Sequence, residues 1–128
     1  MYRITFTPSR QLISVKLGGL FCTIEIGHYI AELRRQFLQH RFKAGYVMLI
    51  DTTDCAIQPQ DVLTALQEHM ASFPKASRLA VVTGSSLARM QVRRVMKQPY
   101  MRMVDTVEEG HRWLFPVEGA TDRRVAQA

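Results

Sequence analysis

The chain has 128 residues, of which 47% are hydrophobic and 22% charged, and its 17 Lys and Arg exceed its 11 Asp and Glu to give a formal net charge of +6. This composition excludes a wholly disordered, collagen-like or fibrous protein, and no apolar run reaches the roughly 18 residues that a membrane-spanning helix needs. The length fits one domain, and the N-terminal residues lack the apolar core of a signal peptide, so we expect a protein of the cytoplasm.

The first predicted feature is an antiparallel β-hairpin. Residues 2–7 alternate between apolar and polar side chains, which indicates a strand with one face in water. Residues 8–11 contain Pro and Ser in a pattern typical of a turn. Residues 12–17 alternate again and end at Gly18 and Gly19, so they are expected to pair with the first strand.

After the hairpin, helix and strand patterns alternate along the chain. Helices are predicted where apolar residues recur every three or four positions between capping residues and prolines, and strands where short apolar runs occur. The elements are a helix capped by Thr23 with apolar positions 26–37, a strand at 46–50, a helix at 59–73, a strand at 79–83, a helix from 87 to about 97, a strand at 100–104 and a helix from 107 to about 115.

This order predicts an α/β fold. Strands that alternate with helices form a parallel sheet with right-handed crossovers, and the initial hairpin adds an antiparallel edge. We therefore expect a single-layer mixed sheet of about five strands, arranged as a hairpin followed by βαβαβα, with about four helices. The domain should span residues 1–115, and the polar, aperiodic residues 116–128 are expected to form a flexible tail.

Two polar segments are candidates for ligand binding, because ligands of open α/β sheets bind beyond the carboxyl ends of the strands. Residues 51–54 follow one buried strand, and residues 83–86 follow the next. The second segment suits a small anion, since its glycine permits close approach and the following helix directs N–H groups outward. Simple capping of that helix by a serine is the alternative. The candidate residues are Asp51, Thr52, Thr83, Gly84, Ser85, Ser86 and Arg89.

Enzymatic and metal-binding motifs are missing from the sequence. Asp51 and Asp54 would need nearby partners to act as an acid–base or metal-binding pair, and no motif supplies them. Cys22 and Cys55 lack CxxC spacing and are interpreted as reduced thiols, while the four histidines lie far apart. We expect no enzymatic activity, no metal site and no cofactor.

A basic helix face is the candidate interaction surface. Arg89, Arg93 and Lys97 are spaced by four and should line one side of the predicted helix, which could equally be an ordinary solvated face. Nucleic-acid binding is not favoured, because interleaved aromatic residues and a recognised reading motif are both missing. Aromatic residues near the end of the domain would support a homodimer if exposed, or would otherwise complete the core of the monomer.

Several of these elements together resemble a STAS-type domain, the fold of bacterial anti-sigma-factor antagonists and of the cytoplasmic parts of sulfate transporters. They are the hairpin, the helix after Gly18-Gly19, the strand at 46–51 and the segment 79–85, with the helix start at 87–91 and the closing helix at 107–115. The resemblance is to the stand-alone bacterial branch, which is also likened to the lipid-binding CRAL-TRIO domain, and it covers about residues 2–115. It implies a non-enzymatic module that regulates through a protein partner; a domain that binds a lipid-like or phosphorylated small ligand is the alternative.

The sequence departs from the family at one functional position. Anti-sigma-factor antagonists carry a phosphorylatable Ser where the helix after the middle strand begins, in an Asp-Ser-Ser-Gly-like turn. Here the corresponding residues 56–61 read AIQPQD and contain no Ser, and Thr52 and Thr53 lie too early in the chain to replace it. The resemblance therefore implies a module without the usual phosphorylated serine.

Overall fold

The computed structural model describes residues 1–116, in which strands and helices alternate as predicted. The strands are β1 (Tyr2–Thr7), β2 (Leu12–Gly19), β3 (Val47–Cys55), β4 (Arg78–Val82) and β5 (Met101–Val104); the helices are α1 (Thr23–Gln39), α2 (Gln60–Ala71), α3 (Ser86–Val95) and α4 (Val107–Leu114). All five strands form one sheet in the order β1-β2-β3-β4-β5, antiparallel between β1 and β2 and parallel elsewhere. The predicted mixed α/β sheet is confirmed. Apart from Pro116, the predicted tail of residues 116–128 lies outside the described residues.

The two faces of the sheet are covered unequally. One face packs against α1, α2 and α3 and holds the larger part of the core, as side chains alternate along each strand. Its buried strand residues are Ile13, Val15, Leu17, Met48, Ile50, Leu79 and Val81. The other face packs against α4 through a smaller cluster that includes Leu49, Ala80 and Leu114. Three helices therefore lie on one side of the sheet and one on the other.

Helix α4 approaches the sheet closely because a glycine faces it. Gly110 is buried, and a Cβ at this position would lie 2.5 Å from Leu49 Cδ1 and 3.5 Å from Ala80 Cβ. The sequence offers Asp105 or Thr106 as the cap of this helix, and the cap is Thr106, whose Oγ1 accepts a hydrogen bond from Glu109 N at 3.1 Å. No helix within residues 1–116 is long and apolar enough to cross a membrane.

Strand β3 is longer than its apolar run predicts. The sequence predicts a strand at 46–50 that ends before Asp51, whereas β3 begins at Val47 and continues to Cys55. The extension pairs only with β2, where Asp54 lies opposite Gly18 after a register shift, while pairing with β4 stops at Asp51 and Val82. Residues 51–54 are therefore part of a strand that projects beyond its neighbour, and not a loop.

Two helix ends also differ from the prediction. The N-cap of α1 is Cys22, in extended conformation and without a side-chain cap, and Thr23 is the first helical residue. Helix α3 ends at Val95 because Met96 is extended (φ −119°, ψ 110°). Lys97 lies outside the helix, so the predicted face of Arg89, Arg93 and Lys97 is wrong for its last member.

Candidate functional site

The carboxyl ends of the parallel strands lie at one edge of the sheet. The helices that follow these strands begin at the same edge. The two polar segments singled out in the sequence lie side by side here. Thr52 Oγ1 donates a hydrogen bond to Val82 O at 2.6 Å, and a Cβ on Gly84 would lie 3.3 Å from Thr53 O. This edge is therefore where the predicted candidate residues come together.

The two carboxylates of the first segment share one ammonium group. Lys16 Nζ lies 3.4 Å from Asp51 Oδ2 and 3.1 Å from Asp54 Oδ2. Burial pushes the pKa of Asp51 up, but hydrogen bonds from Thr53 and the charge of Lys16 outweigh it, so this pKa lies below its usual value. The pair is thus neutralised in part by a residue of β2, which sequence analysis missed because Lys16 is 35 positions away.

The start of α3 has the geometry of a capped helix. Ser85 Oγ accepts a hydrogen bond from Ala88 N at 3.1 Å, and Arg89 forms an ion pair with Asp105. The hydroxyl of Thr83 is buried and has no hydrogen-bond partner within residues 1–116. Binding of a small anion at this segment stays a prediction, and the Asp105 carboxylate beside Arg89 would oppose it.

A glutamine that no motif marks connects three segments at this edge. Gln58 Oε1 accepts a hydrogen bond from Phe21 N at 2.9 Å, and Gln58 Nε2 donates to Gly19 O at 2.9 Å and to Ala56 O at 2.7 Å. The backbone N–H of Gln58 donates to Gln91 Oε1, and its carbonyl accepts from Gln91 Nε2, both at 2.9 Å. These bonds, which we call the glutamine clamp, join the β2–α1 connection, the β3–α2 connection and α3.

Exposed apolar side chains accompany the clamp. Leu20, Ile57, Leu87 and Met90 are 63%, 46%, 60% and 50% exposed and are called the apolar rim below. Leu20 lies between two residues that bond to Gln58, Ile57 precedes Gln58, and Met90 precedes Gln91. Large apolar side chains exposed together at one place are typical of a surface that another molecule covers.

Beside the apolar rim, a cleft of about 90 Å³ lies between α2, α3 and the sheet. Most of its lining is aliphatic; the helices contribute Val62, Leu63, Leu66, Ala88, Val92 and Val95. The apolar residues of α3 and its end, Ala88, Val92, Val95 and Met96, are predicted from the sequence to be buried, but they are only half-buried. Cys55 also lines the cleft, and burial raises the pKa of its thiol to about 11, which keeps it neutral. The α2–α3 cleft is thus suited to an apolar group.

Exposed positive charge lies in the last turn of α3. Arg93 and Arg94 follow Met90 on α3, are exposed, and form no ion pair within residues 1–116. No group of three His, Cys, Asp or Glu side chains in that part of the chain could hold a metal ion. The exposed apolar residues of α3, Leu87 and Met90, thus stand in its first half and the two arginines in its last turn.

Comparisons with known proteins identify the fold. No protein-family model and no curated protein match the chain. An uncharacterised protein of the DUF3478 family with a SpoIIAA-like fold, from Shewanella loihica PV-4, is 16% identical with a TM-score of 0.67, over 88% of this chain and 93% of that one. The anti-sigma factor antagonist SpoIIAA in its unphosphorylated form is 11% identical with a TM-score of 0.61, over 93% of this chain and 97% of that one.

These likenesses confirm the predicted fold class. The chain has the SpoIIAA-like, STAS-like α/β fold, with its antiparallel hairpin, parallel strands and four helices in the expected order. Identities of 16% and 11% establish the fold and leave the function to be argued from the residues of this chain.

Proposed function

We propose that this chain is a non-enzymatic regulatory module of the bacterial cytoplasm that acts by binding another protein through the apolar rim. The observation that carries the proposal is the exposure of four large apolar side chains around the glutamine clamp, at a single edge of the domain. Leaving such side chains in water is unfavourable, and their burial in a complex would contribute to affinity. The likeness to SpoIIAA, an anti-sigma factor antagonist, supports a regulatory role.

The chemistry at the same edge supports binding over catalysis. Asp51 and Asp54 are paired with Lys16, and the thiol of Cys55 is neutral and half-buried, so none of these groups is prepared as a base or a nucleophile. Residues 56–61 contain no Ser that a kinase could modify. We therefore infer that partner binding is controlled without the phosphorylated serine expected of this fold.

The proposal is tested by changing the apolar rim in a matched pair of variants. Leu87→Asp places a charge in the rim, whereas Leu38→Asp makes the same change at an exposed leucine on α1, far along the chain from the rim and 71% exposed. A partner isolated with the wild-type protein from the source organism is purified, and its affinity for each form is measured by calorimetry. We expect Leu87→Asp to weaken binding by about ten-fold or more and Leu38→Asp to leave it within about two-fold.

Two outcomes would contradict the proposal. Equal affinities of the Leu87→Asp and Leu38→Asp variants would place the interface elsewhere on the domain. Turnover of a substrate by the purified protein, abolished by a substitution at Asp51 or Cys55, would show that the edge is an active site.

A further inference from the structure

We propose that this chain binds a small neutral molecule, made of one ring with a hydroxyl group, in a pocket at the amino ends of the parallel strands. The pocket lies at the edge of the sheet opposite the apolar rim, so binding here is independent of the partner binding proposed above. Its volume, its aromatic lining and two polar groups without partners define the ligand.

The walls of this pocket, which we call the amino-edge pocket, come from the segments that lead into three parallel strands. Tyr46 directly precedes β3, Ala76 lies two residues before β4, and Tyr100 directly precedes β5. Backbone hydrogen bonds hold these segments together. Ser77 N donates to Tyr46 O at 2.7 Å, and Leu79 N donates across the sheet at 3.0 Å to the carbonyl that precedes β5. The pocket is therefore built on fixed backbone, as a binding site requires.

The volume and lining of the amino-edge pocket suit one ring. The pocket measures about 220 Å³, and an apolar cavity of about 150 Å³ is enough to hold benzene. Aromatic rings and methionine side chains lie in its wall, and both make favourable contacts with an aromatic guest. They are Tyr46, Met48, Met70, Phe73 and Tyr100. A single ring therefore fits, with space left for a substituent.

Gln98 gives this pocket an acceptor without a donor. Its Oε1 is buried and has no hydrogen-bond partner within residues 1–116, and its Nε2 makes no hydrogen bond there either. Because no bond fixes the direction of the amide, rotation of the side chain can bring Oε1 to a guest. A buried amide oxygen without a donor is unfavourable, so a guest with an O–H group gains affinity by donating to it.

The hydroxyl of Tyr100 is the second group without a partner, since it makes no hydrogen bond in the described part of the chain. Burial raises the pKa of Tyr100, so its phenol is protonated at neutral pH and can donate. The hydroxyl of Tyr46, by contrast, already donates to Pro74 O at 2.7 Å. A guest hydroxyl can thus donate to Gln98 Oε1 and accept from Tyr100, which a hydrocarbon cannot do.

The charge of the lining favours a neutral guest. Lys75 is the single charged residue in the wall of the pocket among residues 1–116, and it is exposed. An ionised group inside the pocket would leave water without an ion-pair partner in the interior, which is unfavourable. The ligand is therefore uncharged where it enters the pocket.

The experiment titrates phenol and toluene into the full-length chain and follows amide chemical shifts. The two probes share a ring and are close in size, and phenol alone has a hydroxyl. We expect both to shift amides around Tyr46, Phe73 and Tyr100. Gln98→Met, which removes the acceptor at similar length, should lower the preference for phenol over toluene by about ten-fold. Gln67→Met, at an exposed glutamine outside the pocket, should leave this preference within about two-fold.

A second pair of variants tests the hydroxyl of Tyr100. Tyr100→Phe removes it and keeps the ring, and should lower the preference for phenol by about three-fold or more while toluene binds as before. Tyr2→Phe removes a hydroxyl from β1, outside the pocket, and should change neither affinity.

Three results would overturn the inference. In the first, neither probe binds, and the pocket holds water only. In the second, the shifted amides lie away from the amino ends of β3, β4 and β5. In the third, Gln98→Met keeps the wild-type preference for phenol. Leu87→Asp, which tests the apolar rim, should leave both probes bound as before, so the failure of one proposal is distinguishable from the failure of the other.

Discussion

The glutamine clamp makes a quantitative prediction about the stability of the candidate site. Gln58→Ala removes the side-chain hydrogen bonds to Phe21 N, Gly19 O and Ala56 O, while the backbone bonds to Gln91 can persist. The bond to Phe21 is partly buried, and the other two are exposed. We expect a loss of about 2 kcal/mol in the free energy of unfolding, about half of it from Phe21, whose N–H is left unpaired.

This loss converts into a measurable shift in melting temperature. Unfolding entropy is about 2.1 cal/mol/K per residue, so a chain of 128 residues has an entropy of about 0.27 kcal/mol/K by the same rule. A loss of about 2 kcal/mol should then lower Tm by about 7 °C. Gln67→Ala is the matched control, because Gln67 is exposed on α2 and its side chain makes no hydrogen bond within residues 1–116.

The assay combines thermal melting with amide hydrogen exchange. Gln58→Ala should lower Tm and speed exchange of the Phe21 amide, since that N–H loses its acceptor. Gln67→Ala should leave the free energy of unfolding within about 0.5 kcal/mol of the wild-type value, so Tm and the exchange of the Phe21 amide should stay close to wild type. If both variants melt alike, or if the Phe21 amide keeps its protection in Gln58→Ala, the clamp does not hold the edge together and the reasoning fails.

Two further predictions concern packing and charge. Gly110→Ala should lower the free energy of unfolding by about 1 kcal/mol in urea, because overpacking against Leu49 outweighs the helix propensity of Ala, whereas Gly27→Ala in open space should raise it by up to about 1 kcal/mol. A stabilising Gly110→Ala would refute the close approach of α4. In the folded state the pKa of Asp51 lies below its ordinary value. Ionised Asp51 therefore stabilises the fold at pH values above the ordinary pKa, and this stability is lost as the pH falls through the pKa of the folded state. The stability difference between wild type and Asp51→Asn should shrink below about pH 4; a difference independent of pH would exclude a charge effect.

The sequence predicts local structure well where one residue decides it. The hairpin turn follows from Pro8. The start of α4 follows from the pair Asp105 and Thr106, of which Thr106 caps, and the start of α3 from the two serines 85 and 86, of which Ser85 caps. The buried stripe of α1 also agrees with its periodicity, from Ile26 to Phe37. In each case the controlling interaction joins residues a few positions apart.

The candidate site could be predicted only in part. The sequence places residues 51–54 and 83–86 at one edge, because parallel strands present their carboxyl ends together. It does not predict the clamp, since the backbone of Gln58 bonds to a residue 33 positions later and its side chain to one 37 positions earlier. An isolated Gln has many equivalent uses on a surface, and nothing in its neighbours selects this one.

By itself the sequence determined the order of elements and the faces they bury, because side-chain periods of two in strands and 3.6 in helices are local properties. Only the tertiary structure decided how far β3 runs, since its extension to Cys55 depends on pairing with β2 after β4 has ended. It also decided that Phe21, Ala56 and Ala88, far apart in the chain, line one cleft. These features depend on which strands are neighbours and how closely α3 packs, and such contacts are set by the whole sheet and not by any segment of it.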